Sequence, residues 1–186
     1  QVFDRWRLVD MMGKTVVGSI SARFAELRRK LGVMREFLVQ CGGIGEDHRF
    51  FTEFTGRGDD ISPSFHLLSI PEGTETLAIV LRDESHPIFG SMTHWLIWNL
   101  PVDPDIAANI AKGTRSGRGN ARQGVAYGWH RYRGPKPPKG TTHRYVFTVY
   151  AVNGELDLGG MTTLRRLRKA MRGKVLGIGR VEGLFE

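Results

Sequence analysis

The chain has a single cysteine, Cys41, among its 186 residues. No internal disulfide can form, so the fold must be held together by its hydrophobic core. No apolar run approaches the roughly 20 residues that a membrane-spanning helix needs. We therefore expect a soluble, cytoplasmic protein of one domain, or of one domain with an extension, while the cysteine content leaves secretion open.

Acidic residues are absent from a long stretch between Ile106 and Asn153, although the chain as a whole carries a net charge of +8. Such fields attract phosphate, phospholipid head groups, nucleic acid or acidic protein faces, and a merely solvated basic surface is the alternative. A second basic run lies near the C-terminus. The basic residues of the two segments are Lys112, Arg115, Arg118, Arg122, Arg131, Arg133, Lys136, Lys139 and Arg144, and then Arg165, Arg166, Arg168, Lys169, Arg172 and Lys174.

Helical periodicity is scarce in the middle of the chain, where apolar runs predict strands. Residues 76–81 are almost continuously apolar, as in a strand buried on both faces. Residues 95–100 form a second run, and residues 145–152 are rich in β-branched and aromatic residues. Together with the abundant glycine, these runs favour a mainly β core.

Two further elements are predicted toward the C-terminus. Residues 162–171 have the apolar spacing of a short helix, with Thr162 or Thr163 as its cap and Gly173 at its end. Residues 175–181 are a candidate last strand, although two glycines interrupt them.

The N-terminal region has a different period. From Ile20 to Leu38 the apolar residues alternate in four- and three-residue steps, the heptad spacing of a helix seam. This predicts an amphipathic helix over about residues 19–40, inside an N-terminal extension of residues 1–45. The seam either docks on the remaining domain, residues 46–186, or pairs with a second copy as a homodimer.

Two histidines, His94 and His143, stand about fifty residues apart, each at the mouth of a predicted strand. Strand ends are places where a rigid scaffold holds polar groups over a pocket. Two such segments can build one small site from Asp83, His94, His143 and Tyr145. A lone histidine at a strand end is more often a structural hydrogen-bond donor, so it is the combination that matters.

Four segments of the chain resemble the phosphatidylethanolamine-binding protein family, which includes the Raf kinase inhibitor proteins and their bacterial and archaeal relatives. Order and spacing agree over about residues 54–186, and the C-terminal part is similar to prokaryotic members. The segments are residues 58–65 (Gly-Asp-Asp-Ile-Ser-Pro-Ser-Phe), residues 70–74 (Ile-Pro-Glu-Gly-Thr), residues 83–101 with Thr-His-Trp, and residues 134–145 with Gly-Pro-Lys-Pro-Pro-Lys-Gly and His-Arg-Tyr.

The resemblance implies an antiparallel β-sandwich with a large central sheet, a smaller sheet and peripheral helices, to which this chain would add its N-terminal helix. It also implies a small anion-accepting pocket near the C-terminal helix. Carried over residue by residue, the ligand-binding positions of that pocket are Asp83, His94, Gly134, Pro138, His143 and Tyr145.

The chain departs from the family pattern just after Asp83. Ser85 stands where the family has a second aspartate, and His86 stands where it has an alanine. The serine removes a carboxylate from the expected pocket rim, and the histidine adds a titratable group. We therefore take Ser85 and His86 as candidate rim residues.

These observations predict a binding or regulatory protein for a phosphate-bearing or phospholipid-type ligand, with no cofactor and no metal. It could also inhibit a kinase or a protease through loops around the pocket. The alternative is an enzyme that uses the same pocket for acid–base chemistry on a small organic substrate. No catalytic residue is assigned, because no nucleophile elbow is visible. Nucleic-acid binding lacks any recognisable motif and is not expected.

Overall fold

The computed structural model of the chain describes residues 34–85 and 90–186. A 3-10 turn covers Thr52–Phe54, and helix α1 covers Leu164–Ala170. The strands, numbered in chain order, are β1 (Arg35–Glu36), β2 (Leu38–Cys41), β3 (Phe65–Leu68), β4 (Thr76–Asp83), β5 (Met92–Leu100), β6 (Asp105–Ile106), β7 (Arg122–Gln123), β8 (His143–Val152) and β9 (Val175–Phe185).

The strands form one large and one small sheet, as expected for a mainly β protein. The large sheet has the order β1-β9-β8-β4-β5-β7, and the small sheet has the order β2-β3-β6. The small sheet is antiparallel. The large sheet is mixed, because β1 pairs with β9 in parallel while its other pairs are antiparallel. The expectation of a purely antiparallel arrangement is therefore wrong at this edge.

The predicted N-terminal helix over residues 19–40 is wrong at its C-terminal end, where the chain forms β1 and β2. Met34 and Leu38, two positions of the predicted seam, are exposed, whereas Phe37 and Val39, which are not seam positions, are buried. Pairing with β9 and β3 overrides the apparent helical period, as tertiary contacts commonly do for weak local propensities.

The remainder of that predicted helix, residues 19–33, lies outside the described residues, and so does most of the predicted dimer seam. Both short strands precede the predicted domain boundary at residue 45, yet they pair with strands beyond it.

Strand β4 is buried on both faces, which confirms the interpretation of its continuous apolar run. The side chains of Leu77, Ile79 and Leu81 pack in the cluster between the two sheets. Ala78 and Val80 point to the opposite face and pack in a second cluster. Burying each large aliphatic side chain stabilises the fold by about 1.5–3 kcal/mol, so the register of this strand is strongly specified.

Helix α1 covers the second face of the large sheet, near the position predicted from the sequence. Its buried side is provided by Leu167, and Met171 just after the helix joins the same cluster. Thr163 occupies the N-cap position. Gly173 follows with a φ of 72°, a left-handed conformation that suits glycine after a helix end.

Asn99 connects the end of β5 to the segment that leads into α1. Its amide Nδ2 donates to the Leu156 carbonyl at 3.1 Å, and its Oδ1 accepts from the Leu156 N–H at 2.9 Å. The side chain is buried, and its backbone has a φ of 56°, a region that asparagine tolerates better than most residues. This one side chain therefore satisfies both polar groups of a buried peptide segment.

We expect Asn99→Leu to lower the free energy of unfolding by about 2–4 kcal/mol, because it leaves the Leu156 N–H and carbonyl unpaired and puts a larger side chain at positive φ. Asn153→Leu is the matched control, since the exposed Asn153 amide donates to the Gly73 carbonyl at the protein surface, and we expect a change of about 0.5 kcal/mol or less. Urea denaturation measures both, and similar losses in the two variants would contradict this account.

Candidate functional site

The centre of the candidate site is a buried pair formed by Asp83 and His143. Asp83 ends β4 and His143 begins β8. Antiparallel pairing of these two strands therefore places both residues at the same end of the strands. The imidazole Nδ1 lies 2.7 Å from the carboxylate Oδ2, and the residues are only 3% and 6% exposed. The other carboxylate oxygen accepts the Ser85 N–H at 2.8 Å. Asp83 is thereby held from two sides.

His94 reaches the same site because β5 is irregular at this point. Leu81 pairs with Trp95 and Arg82 pairs with Thr93, so His94 is an extra residue between two consecutive pairs. A bulge of this kind bends a strand and re-aims its side chains. The His94 ring lies 5.3 Å from the Tyr145 ring in an edge-to-face contact, on the same side of the sheet as the buried Trp95.

The protonation state of His94 follows from its surroundings. Its Nδ1 lies 3.0 Å from the carbonyl oxygen of Arg133. A carbonyl can only accept, so Nδ1 carries the proton and a neutral imidazole presents a lone pair at Nε2. Burial lowers the pKa of His94 below its usual value of 6.5, although the Arg133 carbonyl and the Asp83 charge act in the opposite direction. His94 is therefore neutral at pH 7.

Tyr145 is the fourth member of the group. It faces Asp83 across β4 and β8, and its ring lies 6.3 Å from that of His143. Burial is the main cause that raises the pKa of Tyr145, and the nearby Asp83 carboxylate adds to it. The phenol thus stays protonated at neutral pH. The four side chains predicted from the sequence to share one site do lie together.

The site offers hydrogen-bond acceptors more readily than donors. His143 donates through Nδ1 to the Asp83 carboxylate, so its Nε2, like that of His94, carries a lone pair when the ring is neutral. An anionic oxygen needs donors. An anion can therefore bind a neutral imidazole of this site only with an additional proton, carried either by the imidazole or by the anion itself.

Gly134 is packed against the backbone beside the His94 contact. A Cβ at this position would collide with the Phe54 carbonyl and with Cα of Thr55, so only glycine fits. Its N–H donates to Asp60 Oδ1 at 2.7 Å. This fixes the peptide unit that also contains the Arg133 carbonyl, the acceptor for His94.

Pro138 lies farther along the same loop and is exposed. Its carbonyl accepts hydrogen bonds from the N–H of Thr141 at 3.1 Å and from the Thr141 hydroxyl at 2.7 Å, which closes a tight turn. Pro137, which precedes it, is buried, and its carbonyl accepts from Arg57 Nη2 at 3.0 Å. The loop is therefore tied down on both sides of Pro138.

The two candidate rim residues differ in what the structure describes. Ser85 is exposed, and its hydroxyl oxygen accepts the Arg144 N–H at 2.9 Å. It thus ties the segment after β4 to the start of β8. His86 lies outside the described residues.

Asp60 helps to position the backbone around the site, and the sequence analysis did not identify it. Besides the Gly134 N–H, its carboxylate accepts from Arg133 Nη1 at 3.0 Å and forms an ion pair with Arg131 Nη1 at 3.3 Å. It has a φ of 57° and belongs to the segment 58–65 that carried the resemblance. That membership was the only sequence signal available, because its partners are more than seventy residues away.

An aromatic and basic rim at the surface, formed by Tyr127, Trp129, Arg131 and Arg133, adjoins the site and was also missed. The Tyr127 ring lies 5.3 Å from His94, and the Arg133 guanidinium lies over Tyr127 at 5.8 Å. Trp129 is 61% exposed, which is unusual for so large an aromatic side chain. It lies in a turn, with a φ of 57°.

Other chemistry is limited in the described part of the chain. Burial raises the pKa of the Cys41 thiol to about 12, so this cysteine is not a ready nucleophile. Within residues 34–85 and 90–186, no three histidine, cysteine, aspartate or glutamate side chains come together in a way that could hold a metal ion. No helix in these ranges has the length and apolar character to cross a membrane.

Comparison with known proteins identifies the family. A family model described as phosphatidylethanolamine-binding protein matches residues 44–186. A UPF0098 protein of Pyrococcus abyssi is 33% identical over 165 residues, which cover 84% of this chain and 89% of that protein. YbhB, a UPF0098 protein of Escherichia coli, is 36% identical over 103 residues, which cover 53% of this chain and 63% of YbhB. The chain belongs to the phosphatidylethanolamine-binding protein family, which confirms the resemblance of its four segments.

Solved structures show the same fold. YbcL of Escherichia coli, described as a new member of the mammalian PEBP family, superposes with a TM-score of 0.72 at 22% identity, over 81% of this chain and 98% of YbcL. A PEBP homologue of Chlamydia trachomatis superposes with a TM-score of 0.68 at 24% identity, over 82% of this chain and 97% of that chain.

The buried, neutral His94 should make stability depend on pH. Its pKa in the folded state lies below the usual value of 6.5, so the unfolded chain binds more protons between the two values. The free energy of unfolding is therefore unaffected by this group above pH 6.5, and it decreases as the pH falls from 6.5 toward the folded-state pKa.

We expect wild-type protein to lose more free energy of unfolding between pH 7.5 and about pH 5 than His94→Asn, whose amide keeps a donor for the Arg133 carbonyl but does not titrate. Urea denaturation at each pH gives the comparison. Equal pH dependence in the two proteins would mean that His94 is not the group responsible.

Proposed function

We propose that the chain is a binding or regulatory protein whose pocket accepts a small phosphate-bearing ligand, such as a phospholipid head group, between His94 and His143. Membership of the phosphatidylethanolamine-binding protein family supports a role of this broad kind. The single observation that carries the proposal is that His94, the Asp83–His143 pair and the protonated Tyr145 phenol lie together at the ends of neighbouring strands.

The geometry supports a protonated anion as the ligand. Both imidazoles use their Nδ1 proton on protein oxygens, so a phosphate group must bring a proton or draw one onto His94. The Tyr145 phenol also stays protonated, because burial and the neighbouring Asp83 carboxylate, with which its hydroxyl interacts, raise its pKa. The positive Arg131 and Arg133 side chains at the rim favour approach of an anion, although Asp60 offsets part of their charge.

A regulatory role toward a protein is a finer form of the same proposal. The rim of Tyr127, Trp129, Arg131 and Arg133 combines the residue types that are enriched at the centres of protein interfaces. A kinase or protease that binds there would cover the pocket mouth, so that the small ligand and the partner would compete or cooperate.

Proton linkage gives the sharpest test of the pocket. We expect phosphoethanolamine to bind with uptake of about one proton at pH 7.5, so that its affinity falls roughly tenfold for each pH unit above neutrality. Calorimetry in buffers of different ionisation enthalpy measures the proton uptake directly. Binding without proton uptake would contradict the assignment of the neutral His94 imidazole as a lone-pair acceptor.

Matched variants locate the ligand. His94→Asn and His143→Asn keep a donor toward Arg133 and Asp83 but remove Nε2, and each should weaken binding about tenfold or more. His66→Asn is the control, because His66 forms a similar pair with Asp105 at 2.6 Å on the small sheet. Losses as large in the control as in the pocket variants would show that the site is elsewhere.

Acid–base catalysis is a second candidate function, favoured by one observation. A buried carboxylate bonded to Nδ1 holds His143 in the tautomer whose Nε2 can accept a proton, as in a general base oriented by a third group. Tyr145, still protonated, would be the matching acid. This role differs from ligand binding, in which neither His143 nor Tyr145 has to exchange a proton with a carbon atom of the ligand.

Under this alternative, we expect the protein to catalyse exchange of carbon-bound protons in some member of a panel of small carbonyl compounds in deuterium oxide. Proton NMR would follow the loss of signal. His143→Asn should abolish the exchange while the protein remains folded. If the wild-type protein exchanges no compound of the panel faster than this variant does, the catalytic alternative is wrong.

A further inference from the structure

A groove on the other face of the large sheet is separate from the pocket. It lies on the side that carries α1, and its floor is formed by Val146, Thr148 and Tyr150 of β8. Arg168 of α1 and Arg180 of β9 line it as well. In β8 the side chains of residues 145 and 147 belong to the core between the sheets, so the even-numbered floor residues point away from the pocket.

Charges in this groove are sorted along its length. At one end, the Arg144 guanidinium donates to Glu84 at 2.8 Å and to Glu182 at 3.0 Å, and Arg82 lies 3.4 Å from the same Glu84. The two carboxylates are therefore already neutralised by the protein. This end therefore carries both positive and negative side chains, and their charges largely cancel.

The other end of the groove is cationic. Arg168 and Arg180 are exposed, and no carboxylate among residues 34–85 and 90–186 forms an ion pair with either of them. Arg165, Arg166 and Lys169 are exposed on the same short helix and add to the positive field without lining the groove. Two such guanidinium groups over a partly apolar floor are suited to carboxylate or phosphate oxygens.

We propose that this groove binds an extended acidic segment of a partner protein. From residue 144 to residue 150, β8 spans about 20 Å, which is the length of five to six extended residues. Carboxylates of the segment pair with Arg168 and Arg180, and its backbone or polar side chains meet the mixed charges around Arg144. The proposal is independent of the ligand pocket, because the Tyr145 side chain of that site belongs to the core on the opposite face of the sheet.

Other occupants fit less well. A nucleic-acid strand carries an uninterrupted row of phosphates, and the end of the groove around Arg144 offers them no net positive charge, because Glu84 and Glu182 offset Arg82 and Arg144. Tyr150 is packed against the second core cluster rather than displayed for base stacking. The chain's own first 33 residues contain seven lysines and arginines and three acidic residues. A second copy has a net charge of +8. Both would meet the cationic end with like charge.

The test uses the full chain and a fluorescein-labelled octaglutamate peptide in fluorescence anisotropy at low and moderate salt. We expect saturable binding that Arg168→Ala/Arg180→Ala weakens about tenfold. The matched control Arg165→Ala/Arg166→Ala removes the same charge from α1 outside the groove and should weaken binding by about threefold or less. His143→Asn should leave this binding unchanged, which separates it from the pocket.

Several outcomes would overturn the proposal. Equal losses in the two double variants would show diffuse attraction to a basic surface, and absence of saturable binding would show that there is no site. Tighter binding of a labelled eight-nucleotide thymidine strand than of octaglutamate would assign the surface to nucleic acid instead. In support, Arg168→Glu/Arg180→Glu should lose octaglutamate binding and gain binding of octalysine, with an unchanged urea midpoint.

Discussion

Burial of strand β4 on both of its faces is the constraint on which the candidate site depends. Its apolar side chains alternate between the core that joins the two sheets and the cluster under α1. A register shift of one residue would bury Arg82 in place of Leu81 and turn Asp83 away from Tyr145. The Asp83–His143 pair is therefore placed by hydrophobic packing, and the attraction between the two groups only completes a geometry that the core has already imposed.

The remaining parts of the site depend on two local irregularities. A bulge in β5 brings His94 to the side of the sheet that carries Tyr145. Asp60, on a distant loop, holds the Gly134 peptide and with it the Arg133 carbonyl that His94 meets. Because that carbonyl and the Asp83 carboxylate can only accept, they determine which imidazole nitrogens carry protons. The chemistry of the pocket is thus a consequence of backbone geometry more than of residue type.

The two faces of the large sheet deal with charge differently. On the pocket side, the two buried imidazoles form hydrogen bonds to protein oxygen atoms. Burial keeps His94 neutral and Tyr145 protonated. On the α1 side, exposed arginines act through their field, and the carboxylates that line the groove are matched by Arg82 and Arg144. Binding in the pocket should accordingly depend on pH, whereas binding in the groove should depend on salt.

Periodicity predicted the long elements well, because β4, β5, β8 and α1 each bury enough apolar surface to leave a pattern in the sequence. It failed for β1 and β2, since strands of two and four residues carry too few positions to outweigh an accidental heptad. Family spacing identified Asp83, His94, His143 and Tyr145 as neighbours, but not Asp60 or the exposed Trp129, whose roles depend on loops that meet only in the folded chain.

By itself, the sequence determined the mainly β core, the family and the four side chains of the candidate site, because hydrophobic alternation and motif spacing are local properties of the chain. Only the tertiary structure decided how those side chains are protonated, which arginines are neutralised by carboxylates and which ones can attract an anion. Proton positions and ion pairs depend on which atoms lie within about 3 Å of one another, and residues 60 and 134, or 84 and 144, come that close only after folding.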